Sequence, residues 1–224
     1  MDGVILFDLG GTLDADGVPW KERFRRLYAA EGLIAPPAEF DRAFYAADDS
    51  LVGHVPPTLS FQETASRLAR GVTDALRPGD RGLADRVAVR FLADALACVS
   101  RNIPMLLRLR SRYRLAVVSN FYGNLTTVCD NVGIGSLFDV LIDSTQVGAR
   151  KPDVRIFRRA IDDLKVVPAA ATFVGDSLTR DMAGARAIGM AHILVADGTA
   201  QPPATCCPHD RVIHRLTDLE PLLP

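Results

Sequence analysis

Five short apolar runs, at residues 4–7, 115–118, 140–142, 172–174 and 192–195, do most to limit what this chain can fold into. Each is apolar without alternation and ends in small or polar residues. That is the pattern of a strand covered on both faces, as in a parallel sheet. A weaker run stands at 211–213. Helical patterns at 124–132, 154–164 and 180–188 follow the second, third and fourth runs. Such alternation predicts an open, doubly wound α/β sheet, with its site at the carboxyl ends of the strands.

One stretch breaks the alternation. From about Val18 to about Asn102 no strand pattern occurs. Residues 19–32 read as an amphipathic helix with Pro19 at its start and Gly32 at its end, and 37–50, 60–71 and 81–100 read as three more. The expected organisation is a core domain of residues 1–16 and 103–224 with a helical cap domain, 17–102, inserted after the first strand. An insert there lies over the carboxyl end of that strand, where a lid belongs.

Bulk properties exclude several function classes. With 26 basic and 27 acidic residues the chain carries no global field to attract nucleic acid or an anionic membrane. The four cysteines, Cys98, Cys129, Cys206 and Cys207, form no CxxC pair and no disulfide framework. The adjacent Cys206 and Cys207 beside His209 lack metal-site spacing and read as a loop. No signal-peptide pattern and no membrane-length apolar run is read, so the expected setting is cytoplasmic, for a monomer or homodimer.

The four strand ends carry the chemistry. Asp8 ends the first, Ser119 and Asn120 end the second, Lys151 and Pro152 open the helix after the third, and GDSLTRD (175–181) follows the fourth. Each taken alone also reads as an ordinary turn or helix-start residue. Together, at one rim, they form a set suited to phosphoryl transfer to an aspartate. A carboxylate can attack phosphorus, an ammonium and a hydroxyl can offset and orient the transferring charge, and carboxylates such as Asp8 and Asp176 can hold Mg2+. Gly10 and Gly11 let the backbone curl so that its N–H groups approach phosphate oxygens.

These motifs, in this order and over essentially the whole chain, resemble those of the haloacid dehalogenase (HAD) superfamily of hydrolases with a helical cap inserted after the first motif. The resemblance implies a Rossmann-like core and Mg2+-dependent hydrolysis of a small phosphorylated metabolite. By it, Asp8 is the nucleophile, Thr12 and Ser119 position the phosphate, and Lys151 stabilises it. Asp176 binds the metal, Asp181 is a second ligand or supports one, and the Gly10 carbonyl is a third protein contact.

One position departs from the pattern. The family's phosphatases carry aspartate two residues after the nucleophile, to protonate the leaving oxygen and then activate water; here Gly10 stands there. A group of that kind is worth about 10²–10⁴-fold in rate. Three readings follow: an acid supplied elsewhere, by Asp14, Asp16 or His54; a substrate whose leaving group needs none; or a phospholigand-binding or regulatory relative with little turnover. Dehalogenation needs neither metal nor acid, but dehalogenases of the family usually place tyrosine at this position. The phosphonate-cleaving branch usually places alanine there and uses a cap lysine. Lys21 is the only lysine of the cap and reads as an exposed helix-face charge, as do most of Arg23, Arg25, Arg26, Arg42, Arg67 and Arg90, any of which could otherwise contact an anionic substrate.

Overall fold

The computed structural model describes residues 3–198 and 211–223. Six strands form one parallel sheet: β1 (Val4–Phe7), β2 (Arg114–Ser119), β3 (Val140–Asp143), β4 (Ala171–Gly175), β5 (Ala191–Val195) and β6 (Arg211–Ile213), in the order β3-β2-β1-β4-β5-β6. The expected α/β sheet is therefore present, including the weak run at its edge. β1 lies between β2 and β4, pairing Phe7 with Val117 on one side and with Val174 on the other. The central position follows from its composition, since all four residues of VILF are buried.

Alternation along the strands sorts side chains into two cores. Ile5, Phe7, Leu115 and Val117 face one side, and Val4, Leu6, Ala116 and Val118 the other. The second face is covered by α7 (Val154–Leu164) through Ile156, Phe157, Ala160 and Ile161 and by α8 (Ala183–Ala187) through Ala185. The first is covered by α5 (Leu125–Asn131) and runs on into the core of the inserted helices. A one-turn helix, α6 (Ser144–Val147), follows β3 directly.

Between β1 and β2 lie four helices: α1 (Trp20–Ala30), α2 (Pro37–Leu51), α3 (Phe61–Leu76) and α4 (Arg81–Arg110). Local signals set their starts. Ser60 and Glu63 make a reciprocal capping box at α3, and Asp80 caps α4 by accepting from Leu83 N at 3.0 Å. Two ends differ from the expected ones. α3 continues to Leu76, and α4 runs through residue 102 and past Pro104 to Arg110. Proline removes one helical hydrogen bond, but Met105, Leu106 and Leu109 are fully buried in the shared core, and Asn102 donates to Leu13 O at 3.0 Å. Burying three such side chains, at about 1.5–3 kcal/mol each, outweighs the proline's cost. After β4 the expected helix at 180–188 divides into a wide π-type turn, Leu178–Met182, and the short α8.

An aromatic cluster centres the insert. The Phe91 ring lies 4.5 Å from Phe24 and 5.1 Å, edge-on, from Trp20, with the Arg23 guanidinium 4.2 Å over its face. Replacing Phe91 by alanine should cost about 3–5 kcal/mol through lost burial and an unfilled cavity. Urea denaturation of wild type and Phe91→Ala measures this; a loss below about 1 kcal/mol would mean that the cluster collapses around the gap.

Candidate active site

Asp8 sits where β1 stops. Its N–H still donates to Val174 O, 2.9 Å, so the backbone there is held in the sheet. Asp8 is 7% exposed, and its Oδ1 is fixed by two donors, Leu9 N at 2.8 Å and Ser119 Oγ at 2.7 Å, and by an ion pair with Lys151 Nζ at 2.9 Å. Among the described residues Oδ2 accepts no hydrogen bond, so one oxygen orients the carboxylate and the other is left to act. Lys151 is buried and reaches Asp181 Oδ1 at 2.7 Å as well. Burial alone would depress its ammonium; the Asp181 and Asp8 charges outweigh that and hold it above its ordinary value. Asn120 brackets the lysine backbone rather than reaching Asp8. Its Nδ2 donates to Lys151 O at 3.1 Å, and its Oδ1 accepts from Lys151 N at 2.7 Å.

The turn after β4 completes the rim. Asp181 accepts from Ser177 N at 3.0 Å, and Asp176 Oδ1 accepts from Thr12 Oγ1 at 3.3 Å. Asp8, Asp176 and Asp181 each offer an oxygen, all within 4.8 Å of one another. Burial first, then the neighbouring Asp181 and Asp8 charges, pushes Asp176 well above the usual aspartate range. Burial likewise raises Asp181, against the pull of Lys151. Asp176 Oδ2 is buried without a hydrogen-bond partner. Three carboxyl groups, balanced by the Lys151 ammonium and the Arg180 guanidinium and with a buried oxygen unpaired, are a donor set that could hold a hard divalent cation. Gly11 makes room for the Asp176 carboxylate: its φ is +89°, and a Cβ there would lie 2.5 Å from Asp176 Oδ2.

Asp8, Ser119, Asn120 and Lys151 form one wall of a cavity of about 310 Å³, and the inserted helices supply Trp20, Lys21, Phe44, Tyr45 and Asp48 to it. Lys21 is not the exposed charge expected. It is half-buried on this wall, 2.9 Å from Asp41 Oδ2 and over the Tyr45 ring, because α1 packs beside α2. Arg23, Arg25, Arg26, Arg42, Arg67 and Arg90 stay out of the cavity lining. Arg25 and Arg26 pair with Glu22, and Arg90 pairs with Glu31. Arg42 and Arg67 are exposed, whereas Arg23 is buried against Asp14. Two other arginines, Arg150 and Arg180, do line it. Both were within reach of the sequence, one preceding Lys151 and one lying between Asp176 and Asp181.

Asp14, Asp16 and His54, the three residues considered as a source of an acid, do not line the cavity. Asp14 is buried and accepts from Gly11 N, Trp20 Nε1 and Arg23, each at 2.7 Å. Asp16 accepts from Arg101 at 2.6 Å and from Leu216 N at 3.1 Å. His54 is exposed on the loop after α2. Cys206, Cys207 and His209 lie outside the described residues.

Gly10 itself has φ −74° and ψ 117°, open to any residue. What keeps a side chain out is Trp20, whose Nε1 would stand 3.1 Å from a Cβ. The indole cannot yield easily. Asp14 holds its N–H, and the rings of Phe61, Phe91, Phe121 and Tyr122 surround it. At an ordinary φ, glycine to alanine gains about 0.4–1 kcal/mol through the unfolded chain. Here Gly10→Ala should instead lose about 1–3 kcal/mol by overpacking. Urea denaturation of Gly10→Ala in wild-type and Trp20→Leu backgrounds checks this. The penalty should shrink by at least about 0.5 kcal/mol when the indole is gone, and equal penalties would acquit Trp20.

A family model described as haloacid dehalogenase-like hydrolase matches residues 3–189. Haloacid dehalogenase-like hydrolase domain-containing protein 3 of Bos taurus is 40% identical over 112 residues, 49% of this chain and 45% of that protein, so the match spans less than half of that relative. Phosphoglycolate phosphatase of Caulobacter vibrioides is 29% identical over 96% of this chain and 88% of its own. Among solved structures, a HAD phosphatase from Thermococcus onnurineus superposes with a TM-score of 0.60 at 21% identity, covering 98% of this chain and 97% of that one.

Proposed function

This chain belongs to the haloacid dehalogenase-like hydrolases, and from that premise we propose that it is a phosphatase of small phosphorylated metabolites that works through an aspartyl-phosphate on Asp8. The observation that carries the reading is the Asp8 carboxylate, pinned through Oδ1 alone at the wall of a 310 Å³ cavity, with a buried ammonium beside it. Asp8 Oδ2 attacks phosphorus, and the bond to the leaving oxygen breaks. Lys151 offsets the charge that spreads over the transferring oxygens, and the Ser119 hydroxyl and Thr12 orient them. Asp8, Asp176, Asp181 and the Gly10 carbonyl would hold Mg2+, which when bound neutralises the phosphoryl charge. The partnerless Asp176 oxygen favours this phosphorus chemistry over attack on carbon, which needs no cation.

Localisation and assembly follow the same reading: a cytoplasmic monomer or homodimer. Cys98 and Cys129 are buried thiols, pushed up by burial to about 11 and about 12. No helix among the described residues is long and apolar enough to cross a membrane.

One observation favours a second reading, a phospholigand-binding relative with little turnover: Trp20 fills the place of the family's acid. Assays with p-nitrophenyl phosphate and Mg2+, with mass spectrometry of the quenched protein, separate the two. A phosphatase turns over, carries phosphate on Asp8, and loses at least about 10³-fold in rate as Asp8→Asn. Binding of phosphate with no label and no turnover selects the second reading. Chloride release from a 2-chloro acid without Mg2+ would overturn both.

The metal has its own test. Mg2+ should raise the wild-type Tm, because a cation relieves the repulsion among the three carboxyl groups. Asp176→Asn removes one of them and should be about 1 kcal/mol more stable than wild type without metal, yet gain nothing from Mg2+. Thermal melts with and without Mg2+ decide; an unchanged Mg2+ response in Asp176→Asn places the ion elsewhere.

A further inference from the structure

We propose that Asp48, on inserted helix α2, is the acid–base residue of the hydrolysis and does the work that Gly10 cannot; the inference rests on Asp8 being the nucleophile. Among the described residues only two carboxyl groups line the cavity, Asp8 and Asp48. They come from different parts of the fold, Asp8 from the end of β1 and Asp48 from the insert. In-line displacement places the leaving oxygen on the side of phosphorus away from the attacking carboxylate. A leaving group that turns from Asp8 meets the wall built by the inserted helices, where Asp48 stands.

Its orientation is set from the core. The Tyr122 hydroxyl donates to Asp48 Oδ1 at 2.6 Å. Tyr122 is itself buried and lies three residues beyond Ser119, so the strand end that fixes the nucleophile also fixes the acid. Oδ2 accepts no hydrogen bond among the described residues and is the oxygen that can carry a proton. The other residues on this wall serve less well. Lys21 is engaged by Asp41, and Tyr45 is half exposed.

The surroundings also suit a proton donor. Burial pushes Asp48 above the usual aspartate range, although the Tyr122 hydrogen bond and the Arg150 charge oppose it. Asp49, beside it on α2, adds to the rise and is itself 3.7 Å from Arg150, while Arg180 across the cavity opposes it. A carboxyl group so placed keeps its proton to higher pH than an exposed one.

The two steps balance. As Asp8 Oδ2 bonds to phosphorus, the bond to the leaving oxygen breaks and the Asp48 proton passes to that oxygen, freeing an alcohol. The Asp48 carboxylate then takes a proton from water as its oxygen attacks phosphorus. The bond to Asp8 breaks, phosphate leaves, and both carboxyl groups return to their starting states.

Asp48→Asn keeps the shape and can still accept from Tyr122, so it is the variant to compare with wild type on ethyl phosphate and on aryl phosphates of graded leaving-group pKa, with Mg2+ present. We expect kcat on ethyl phosphate to fall by about 10²–10³-fold. On p-nitrophenyl phosphate the variant should release a burst of nitrophenol and then stall with phosphate on Asp8. The fall of wild-type kcat/KM at alkaline pH should disappear, and Asp48→Glu should recover part of the ethyl phosphate activity. Ethyl phosphate turnover within threefold of wild type, or equal losses on ethyl and aryl substrates with no phosphorylated Asp8, overturns the assignment. Should Asp48→Asn not fold, the wild-type series decides: a shallow dependence on leaving-group pKa supports an acid, and a steep one overturns it. A wild type that never carries phosphate on Asp8 overturns the phosphatase reading too, whereas a labelled wild type with an indifferent Asp48→Asn overturns this inference alone.

Discussion

The burial of Lys151 between Asp8 and Asp181 is the interaction on which the site depends. An ammonium out of water is tolerated only with close counter-charges, and here they stand 2.9 and 2.7 Å away. Meeting that demand draws together three separate pieces of chain: the end of β1, the loop before α7, and the turn after β4. Asn120 adds the end of β2 by bonding both ways to the lysine backbone. Asp176 joins the group with one oxygen unpaired, and Arg180 adds a further positive charge nearby. The site is therefore organised around a cation it has and a second that its geometry suits.

A second node, Asp14, governs how the insert meets the core. Its carboxylate accepts from the β1 turn at Gly11 and from Trp20 and Arg23 of α1. Through it the first helix of the insert is tied to the loop that carries the nucleophile. Trp20 is thereby set against Gly10, and the glycine is explained by the indole rather than by backbone geometry. The cost is that no side chain fits at residue 10 without displacing the indole. The gain is an aromatic cluster around Trp20, packed beside the turn that carries Asp8.

Much of this molecule was legible in its sequence. Unbroken apolar runs demanded a parallel sheet, and their spacing placed Asp8, Ser119, Lys151 and Asp176 at one rim, where the structure brings them together. Helix starts were legible because capping is local, as at Ser60. Two helix ends, those of α3 and α4, were not. α4 passes Pro104 because Met105, Leu106 and Leu109 find a core supplied by distant strands, and no local signal reports that core.

The cavity wall was decided by tertiary structure alone. Lys21, Asp48 and Arg23 are all charged residues on amphipathic helices, indistinguishable by pattern from solvated ones. Packing of α1 beside α2 and against the β1 turn puts Lys21 and Asp48 on the cavity and buries Arg23. Asp14, by sequence a candidate acid, is a buried three-donor acceptor for the same reason. Sequence by itself determined where the strand-end residues lie, because strand periodicity and short-range turns fix their positions. Which residues of the insert face it was settled only by long-range packing, since a helix's hydrophobic stripe says what is buried but not what the flanking charges will meet.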